Sequence, residues 1–240
     1  MVQLDKKNRY KPLYKKFIRV RSNAQFRDKH KLFKFEKQKW KTFLFFLKKN
    51  RRFERKPYSH YHYNVSKFAS KGNSFQKKFK NNLVAKIRFN LFYGGFLRRN
   101  LKKQMTKIFN AKKNRDFRRA GLELFESRLS SVLYRSHFCY SIRNATQLIN
   151  HGCVMVNGTT VKQKSYILKQ GDLVKIKPKS LNLIVKNLIR SECWPVPPKY
   201  LTINYNTTQI IFGDIKGFDF STYFPFRLDI GLIITNYYRH

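Results

Sequence analysis

A formal net charge of +41, from 53 lysines and arginines against 12 aspartates and glutamates, limits this chain more than any other feature. Self-repulsion of that size opposes a compact state unless a polyanion neutralises it, so the sequence excludes an ordinary cytosolic metabolic enzyme and points to RNA or DNA as the partner. A wholly disordered basic tail is excluded too. Hydrophobic residues make up 42% and aromatic residues 16% of the 240 positions, enough for at least one packed core, with one or two domains plus extensions.

Cys139, Cys153 and Cys193 lie far apart without a C-x-x-C pair, which argues against a disulfide framework and against a zinc ribbon. Apolar runs such as Phe43 to Leu47 fall far short of the roughly 20 residues that cross a bilayer, so no membrane span is expected. The start, Met1-Val2-Gln3-Leu4-Asp5-Lys6-Lys7, lacks a signal-peptide apolar core and carries an early acid, so either the chain is made in the compartment that uses it or its address is unreadable. Enrichment in Lys, Asn, Phe, Ile and Tyr, residues with A/T-rich codons, hints at an A/T-rich genome such as an organelle's.

Charge is graded along the chain. Residues 1 to 80 hold 26 basic and 4 acidic side chains, whereas residues 122 to 178 hold 8 and 3. In the first stretch basic residues alternate with aromatics, as in Tyr14-Lys15-Lys16-Phe17 and Trp40-Lys41-Thr42-Phe43, without a sustained period. It reads as an extension that threads RNA, lysines and arginines on phosphates and rings stacked on bases, and that gains its order on binding. His60-Tyr61-His62 offers two imidazoles without a nearby third ligand in a cationic setting, a stacking or solvated feature instead of a metal site.

From Asn81 the text turns helical: Leu83, Ile87 and Leu91, then Leu97, Leu101, Met105 and Ile108, with a break at Gly94-Gly95. Arg98, Arg99, Lys102 and Lys103 gather on the side away from Leu97 and Leu101, a stripe that suits a phosphate backbone. Residues 122 to 178 carry the sharpest pattern. Leu122, Phe125, Leu129, Val132 and Leu133 trace one helical face, with Arg128 and Arg135 on a neighbouring side. Arg128 either meets RNA or closes a salt bridge to Glu123 or Glu126.

Ser141 is placed to cap a second helix that buries Ile142, Ala145, Leu148 and Ile149 and shows Arg143, Gln147, Asn150 and His151, with Gly152 as its stop. His151 is either an RNA contact or a helix-end residue satisfying carbonyls. Val154-Met155-Val156, the turn Asn157-Gly158, a return through Val161, a turn at Gly171-Asp172 and the strand Leu173 to Ile176 predict a small sheet.

This run, from Arg128-Leu129 through His151-Gly152-Cys153-Val154-Met155-Val156-Asn157-Gly158 to Gly171-Asp172-Leu173-Val174, resembles the small RNA-binding domain named after small-subunit ribosomal protein four. Phe92-Tyr93-Gly94 before a basic helix, Pro198-Lys199-Tyr200-Leu201-Thr202-Ile203, and the ending Leu228-Asp229-Ile230 to Tyr237-Tyr238-Arg239 are similar to other parts of that ribosomal family, over about residues 82 to 240. Where relatives carry A-R-Q-L, this chain has Ala145-Thr146-Gln147-Leu148, and Arg143 stands ready to compensate.

The resemblance implies a non-catalytic structural and assembly role. It implies binding to small-subunit ribosomal RNA, contact with neighbouring small-subunit proteins such as numbers three and five, and a place near where messenger RNA enters and is decoded. It implies neither cofactor nor metal. A presequence-free, very basic version looks most like one encoded in a mitochondrial genome, with a plastid or bacterial cytoplasm as the alternative. Two other functions compete. A free-standing RNA chaperone would not need the C-terminal similarity, and an RNA-modifying enzyme would need a larger domain than the residues after 178 provide.

The expected fold is α+β: a basic extension at 1–80, a helical body at 81–121 with a returning segment at 179–240, and an inserted RNA-binding module at 122–178 with two helices on a mainly antiparallel sheet. The apolar tail Ile230 to Ile234 is too hydrophobic for a free end and is expected to pack on the body, as strand or helix. The expected RNA ligands are Arg98, Arg99, Lys102, Lys103, Arg128, Arg135, Arg143, Gln147 and His151, with Lys162 and Lys164 in the segment after the hairpin.

Overall fold

The computed structural model describes residues 13–20, 24, 38–51, 75–95, 102–104, 106, 117–191, 194–216, 218, 223–226 and 233. The chain divides into two compact units, residues 1–89 and 90–240.

In the first unit, helices α1 (Leu13–Val20) and α2 (Gln38–Arg51) pack on each other. Phe17 and Val20, three apart, are buried on α1, and Trp40 and Phe43, also three apart, on α2 with their rings 5.2 Å from each other. Lys39, Lys41 and Thr42 stay in solvent. Regular helix here differs from the expectation of an aperiodic extension. Among the described side chains each helix buries two residues, and the basic residues between them, Arg19 and Lys41, obscure the period in the sequence. Helix α3 (Phe75–Phe92) begins in this unit and ends in the second.

The second unit is α+β. Helices α4 (Phe117–Glu126), α5 (Leu129–Arg135) and α6 (Ile142–Asn150) precede strands β1 (Val154–Val156), β2 (Thr159–Thr160) and β3 (Leu173–Ile176). A short 3₁₀ turn (Pro178–Ser180), helix α7 (Leu181–Arg190) and strands β4 (Leu201–Asn204) and β5 (Gln209–Phe212) follow. Every residue of α5 is buried, and α5 packs against α6.

All strand pairs are antiparallel, in the order β2-β1-β3-β5-β4. Register pairs Val154 with Ile176, Val156 with Val174, Val174 with Ile210 and Leu201 with Phe212, so period-two alternation gathers these buried residues on one face. The start of α5 is tied to the chain before β3 by Leu129 N–H to Tyr166 O (3.0 Å) and Leu168 N–H to Ser127 O (2.8 Å). Asn187 on α7 donates to Phe138 O at 2.9 Å, anchoring α7 to the α5–α6 connection.

The sheet crosses the boundary expected at residue 178, because β5 pairs with β3 and β4 with β5. Without them β3 would leave a row of unpaired N–H and C=O groups beside a buried face, and the returning chain covers that edge. Of the apolar tail only Ile233 is described; it is helical and fully buried.

One carboxylate organises the core of this unit. Glu126, at the end of α4, is fully buried and accepts from Arg135 Nε (2.9 Å) and Nη2 (2.6 Å), from the Tyr93 hydroxyl (2.6 Å) and from the Tyr200 hydroxyl (3.2 Å). Arg135 donates in addition to Tyr223 O and lies over the rings of Phe92 and Phe224, at 5.0 and 5.1 Å. Burial alone would lower the guanidinium's pKa, but the charge of Glu126 outweighs it and the net shift is upward. Burial, and then the adjacent Glu126, push the Tyr93 and Tyr200 phenols well above their ordinary value of 10.0.

Removing one partner of such a buried pair strands the other charge in a poorly polarisable interior, at about 3–5 kcal/mol. Glu126→Gln and Arg135→Ala should each lower the unfolding free energy by about that much in urea titrations, and the double variant by clearly less than the sum. The tyrosines set a pH window. Because their folded-state pKa values are raised, their contribution is fully present below about pH 10 and falls as pH climbs through the folded values, so the urea midpoint should decline above about pH 10 and less steeply in Tyr93→Phe.

Candidate nucleic-acid interface

Helix α6 forms where the sequence predicts it. Ser141 Oγ accepts from Asn144 N–H at 3.1 Å, satisfying one of the donors that a helix start leaves open. Ile142, Ala145, Leu148 and Ile149 are buried, whereas Arg143, Gln147, Asn150 and His151 are exposed. Arg143, Gln147 and His151 recur every four residues, a polar stripe about 12 Å long at the usual helical rise.

Both ends of the stripe are held. At its start the Tyr93-Gly94-Gly95 turn lies against α6. Gly94 has φ +86°, and a Cβ there would come within 3.1 Å of Ile142 Cγ2, so a larger residue would be strained and crowded. A Cβ on Gly95 would stand 3.7 Å from Arg143 Nη2, which places the guanidinium beside that turn. At its far end the methylenes of exposed Lys162 lie over Gly152, with Cε 3.4 Å from the position of a Cβ. The stripe thus carries a cation at each end.

The two short motifs beyond α6 meet in space. Asn157 (φ +48°) and Gly158 (φ +82°) make the two-residue turn between β1 and β2, both in the left-handed region such a turn requires. The Asn157 side chain donates to Asp172 Oδ1 and accepts from Leu173 N–H, each at 2.9 Å, while Asp172 Oδ2 accepts from Lys169 N–H at 2.8 Å. V-N-G and G-D-x-V are therefore two halves of one lock that fixes the hairpin against β3.

The expected RNA ligands separate into groups. Arg143, Gln147, His151 and Lys162 share the α6 face, and Lys164 is exposed two residues beyond Lys162. Lys102 and Lys103 are exposed on a short helical stretch, while Arg98 and Arg99, like His60 and His62, lie outside the described residues. Two placements are corrected. Arg135 is not on the α6 face: it is 5% exposed and locked to Glu126. Arg128 is likewise only 4% exposed, with its Nη2 donating to Gln104 Oε1 and its guanidinium 5.1 Å from the centre of the Phe125 ring. Burial lowers its pKa to about 10, which leaves it charged at neutral pH.

Helical periodicity fixes a residue's side but not its depth. An arginine with an acid nine residues upstream and aromatics around it is the signal that was available for Arg135. A contact missed entirely is Arg190 over the Tyr140 ring, 5.6 Å from its centre, because α7 and the α6 entrance are remote in sequence. Among the described residues no three potential metal ligands gather, and no helix is long and apolar enough to cross a membrane.

Comparison with known proteins agrees with this geometry. Residues 127–174, from the α4–α5 junction into β3, match the S4 domain family. A protein of Pelagibacter ubique named small ribosomal subunit protein uS4 is 31% identical over 157 residues, covering 65% of this chain and 75% of that protein. Proteins of the same name from Ehrlichia chaffeensis and Brucella ovis are 39% identical over 140 residues and 32% over 158, covering 68% and 75% of their lengths. A match of this extent, reaching well beyond the S4 domain on a fold that carries it, places the chain in the uS4 family of small ribosomal subunit proteins.

Proposed function

We propose that this chain is a structural, non-catalytic constituent of a small ribosomal subunit, where it binds small-subunit rRNA and assists assembly. The observation that carries this reading is the α6 face: Arg143, Gln147 and His151 in register on a capped helix, continued by Lys162, within an S4 domain of a uS4-family chain. A rigid stripe with cations at its ends suits a folded RNA, since phosphate contacts set register on a shaped backbone without reading sequence. Lys164, Lys102 and Lys103 add exposed charge, with Arg98 and Arg99 completing the ligand set.

In this reading the chain contacts neighbouring small-subunit proteins, numbers three and five, close to where messenger RNA enters. We infer a mitochondrial ribosome as its home. Support comes from a composition rich in residues with A/T-rich codons, together with relatives that are bacterial, the type an organelle's own ribosome resembles.

The test separates the exposed arginine from the buried one. Arg143→Ala should weaken binding to small-subunit rRNA and reduce the slope of log K against log salt by about 0.7–0.9 for each lost phosphate contact, with folding unchanged. Arg135→Ala should lose stability first. Filter binding over a salt series, alongside urea titration, reads both. An Arg143→Ala protein with unaltered affinity and salt slope would remove α6 from the interface.

A further inference from the structure

A cleft of about 660 Å³ opens in the second unit between the end of α4 and the loop that leads into β3. That lies within the ~300–1,000 Å³ of pockets that enclose small ligands. Leu124 of α4, Ile167 of the loop and Phe212 of β5 supply apolar walls. Gln104 and Arg128 bring hydrogen-bond donors, and Glu123 and Asp214 bring carboxylates. Arg128 is positioned from two sides, by a bridge between its backbone and that of Ile167 and by its seat over Phe125.

This mixture suits neither an apolar side chain, which would bury charge without compensation, nor a bare phosphate, which the two carboxylates would repel. A flat ring with adjacent donors and acceptors fits it. The mouth favours a nucleic-acid strand: Lys216 lines it, and exposed Lys164 and Lys169 are chain neighbours of the lining residues Ser165, Leu168 and Gln170. Among the bases guanine matches best, since its O6 and N7 accept from a guanidinium while its N1–H and N2–H donate to a carboxylate.

We propose that the cleft takes one unstacked guanine of single-stranded rRNA, with Arg128 on its O6/N7 edge, Glu123 on its N1/N2 edge and the rim lysines on the flanking phosphates. This deepens the rRNA-binding reading and rests on it. Here Arg128 acts from inside the fold, on a base brought to it, and not as a surface contact to backbone.

The test uses the intact protein and short uridine strands that carry one central guanosine, adenosine or abasic ribose, followed by fluorescence anisotropy at a salt concentration where backbone attraction is weak. The guanosine strand should bind roughly tenfold more tightly than the abasic one, the scale of one well-held base. Glu123→Gln should shrink that advantage, read as the ratio of guanosine-strand to abasic-strand affinity, and Ser165→Trp at the exposed rim should abolish it by filling the cleft. Urea titration establishes that both variants are folded. Equal binding of the guanosine and abasic strands, or an advantage that survives in both folded variants, would overturn the cleft. Adenosine binding as tightly as guanosine would overturn the guanine assignment. Failure of all three strands to bind the unmutated protein would overturn the cleft alone, since the rRNA reading is tested separately on folded small-subunit rRNA with Arg143→Ala.

Discussion

The structure of the larger unit depends on a carboxylate in a chain that has few. Glu126 receives donors from three other places in the sequence, Tyr93 past the end of α3, Arg135 at the end of α5 and Tyr200 before β4, and Arg135 extends the cluster to the Tyr223 carbonyl. A buried charge is tolerated only when its hydrogen-bonding capacity is filled, and this filling needs all of those segments together. The cluster is therefore a positional constraint as much as a source of stability. It sets where the Gly94-Gly95 turn leaves α3, and that turn lies against the residue that begins α6. The exposed face of α6 is thereby positioned through a contact buried in the core.

The same reasoning explains how a chain of net charge +41 keeps a dry core. Among the described residues most cations are solvent-exposed, where water screens them. The two buried ones, Arg128 and Arg135, are guanidinium groups, planar and weakly hydrated, and both lie over aromatic rings. A lysine at either position would hold its charge in one compact group and lose most of the ring contact. Aromatic rings thus line the places where arginine is buried.

Much of the RNA-binding module was legible because local chemistry determines it. Ser141 caps α6 because its hydroxyl reaches Asn144 N–H, the Asn157-Gly158 turn follows from two left-handed residues, and alternation in Leu173 to Ile176 marks one buried face. What was not legible depends on partners distant in the chain. Nothing near Gln209 to Phe212 says that it will pair with β3 and extend the module past residue 178, and nothing near Arg135 says that Tyr223 will cover it. Helices α1 and α2 were missed for a different reason, since each commits only two described residues to burial amid lysines.

The polar residue beside the α6 stripe is turned away from it. Thr146 is half-buried, and its hydroxyl donates to Ile142 O at 2.9 Å, back onto its own helix. The middle of the exposed α6 face therefore presents the uncharged Gln147, and its positive charge is confined to Arg143 at one end and Lys162 at the other. On the proposed rRNA reading, two cations about two and a half helical turns apart would meet separate phosphates, so each would lose its effect independently, whereas adjacent cations on one phosphate would compensate for one another. On that reading the face has little redundancy, and RNA register would rest on the two ends that the Gly95 turn and Gly152 hold in position.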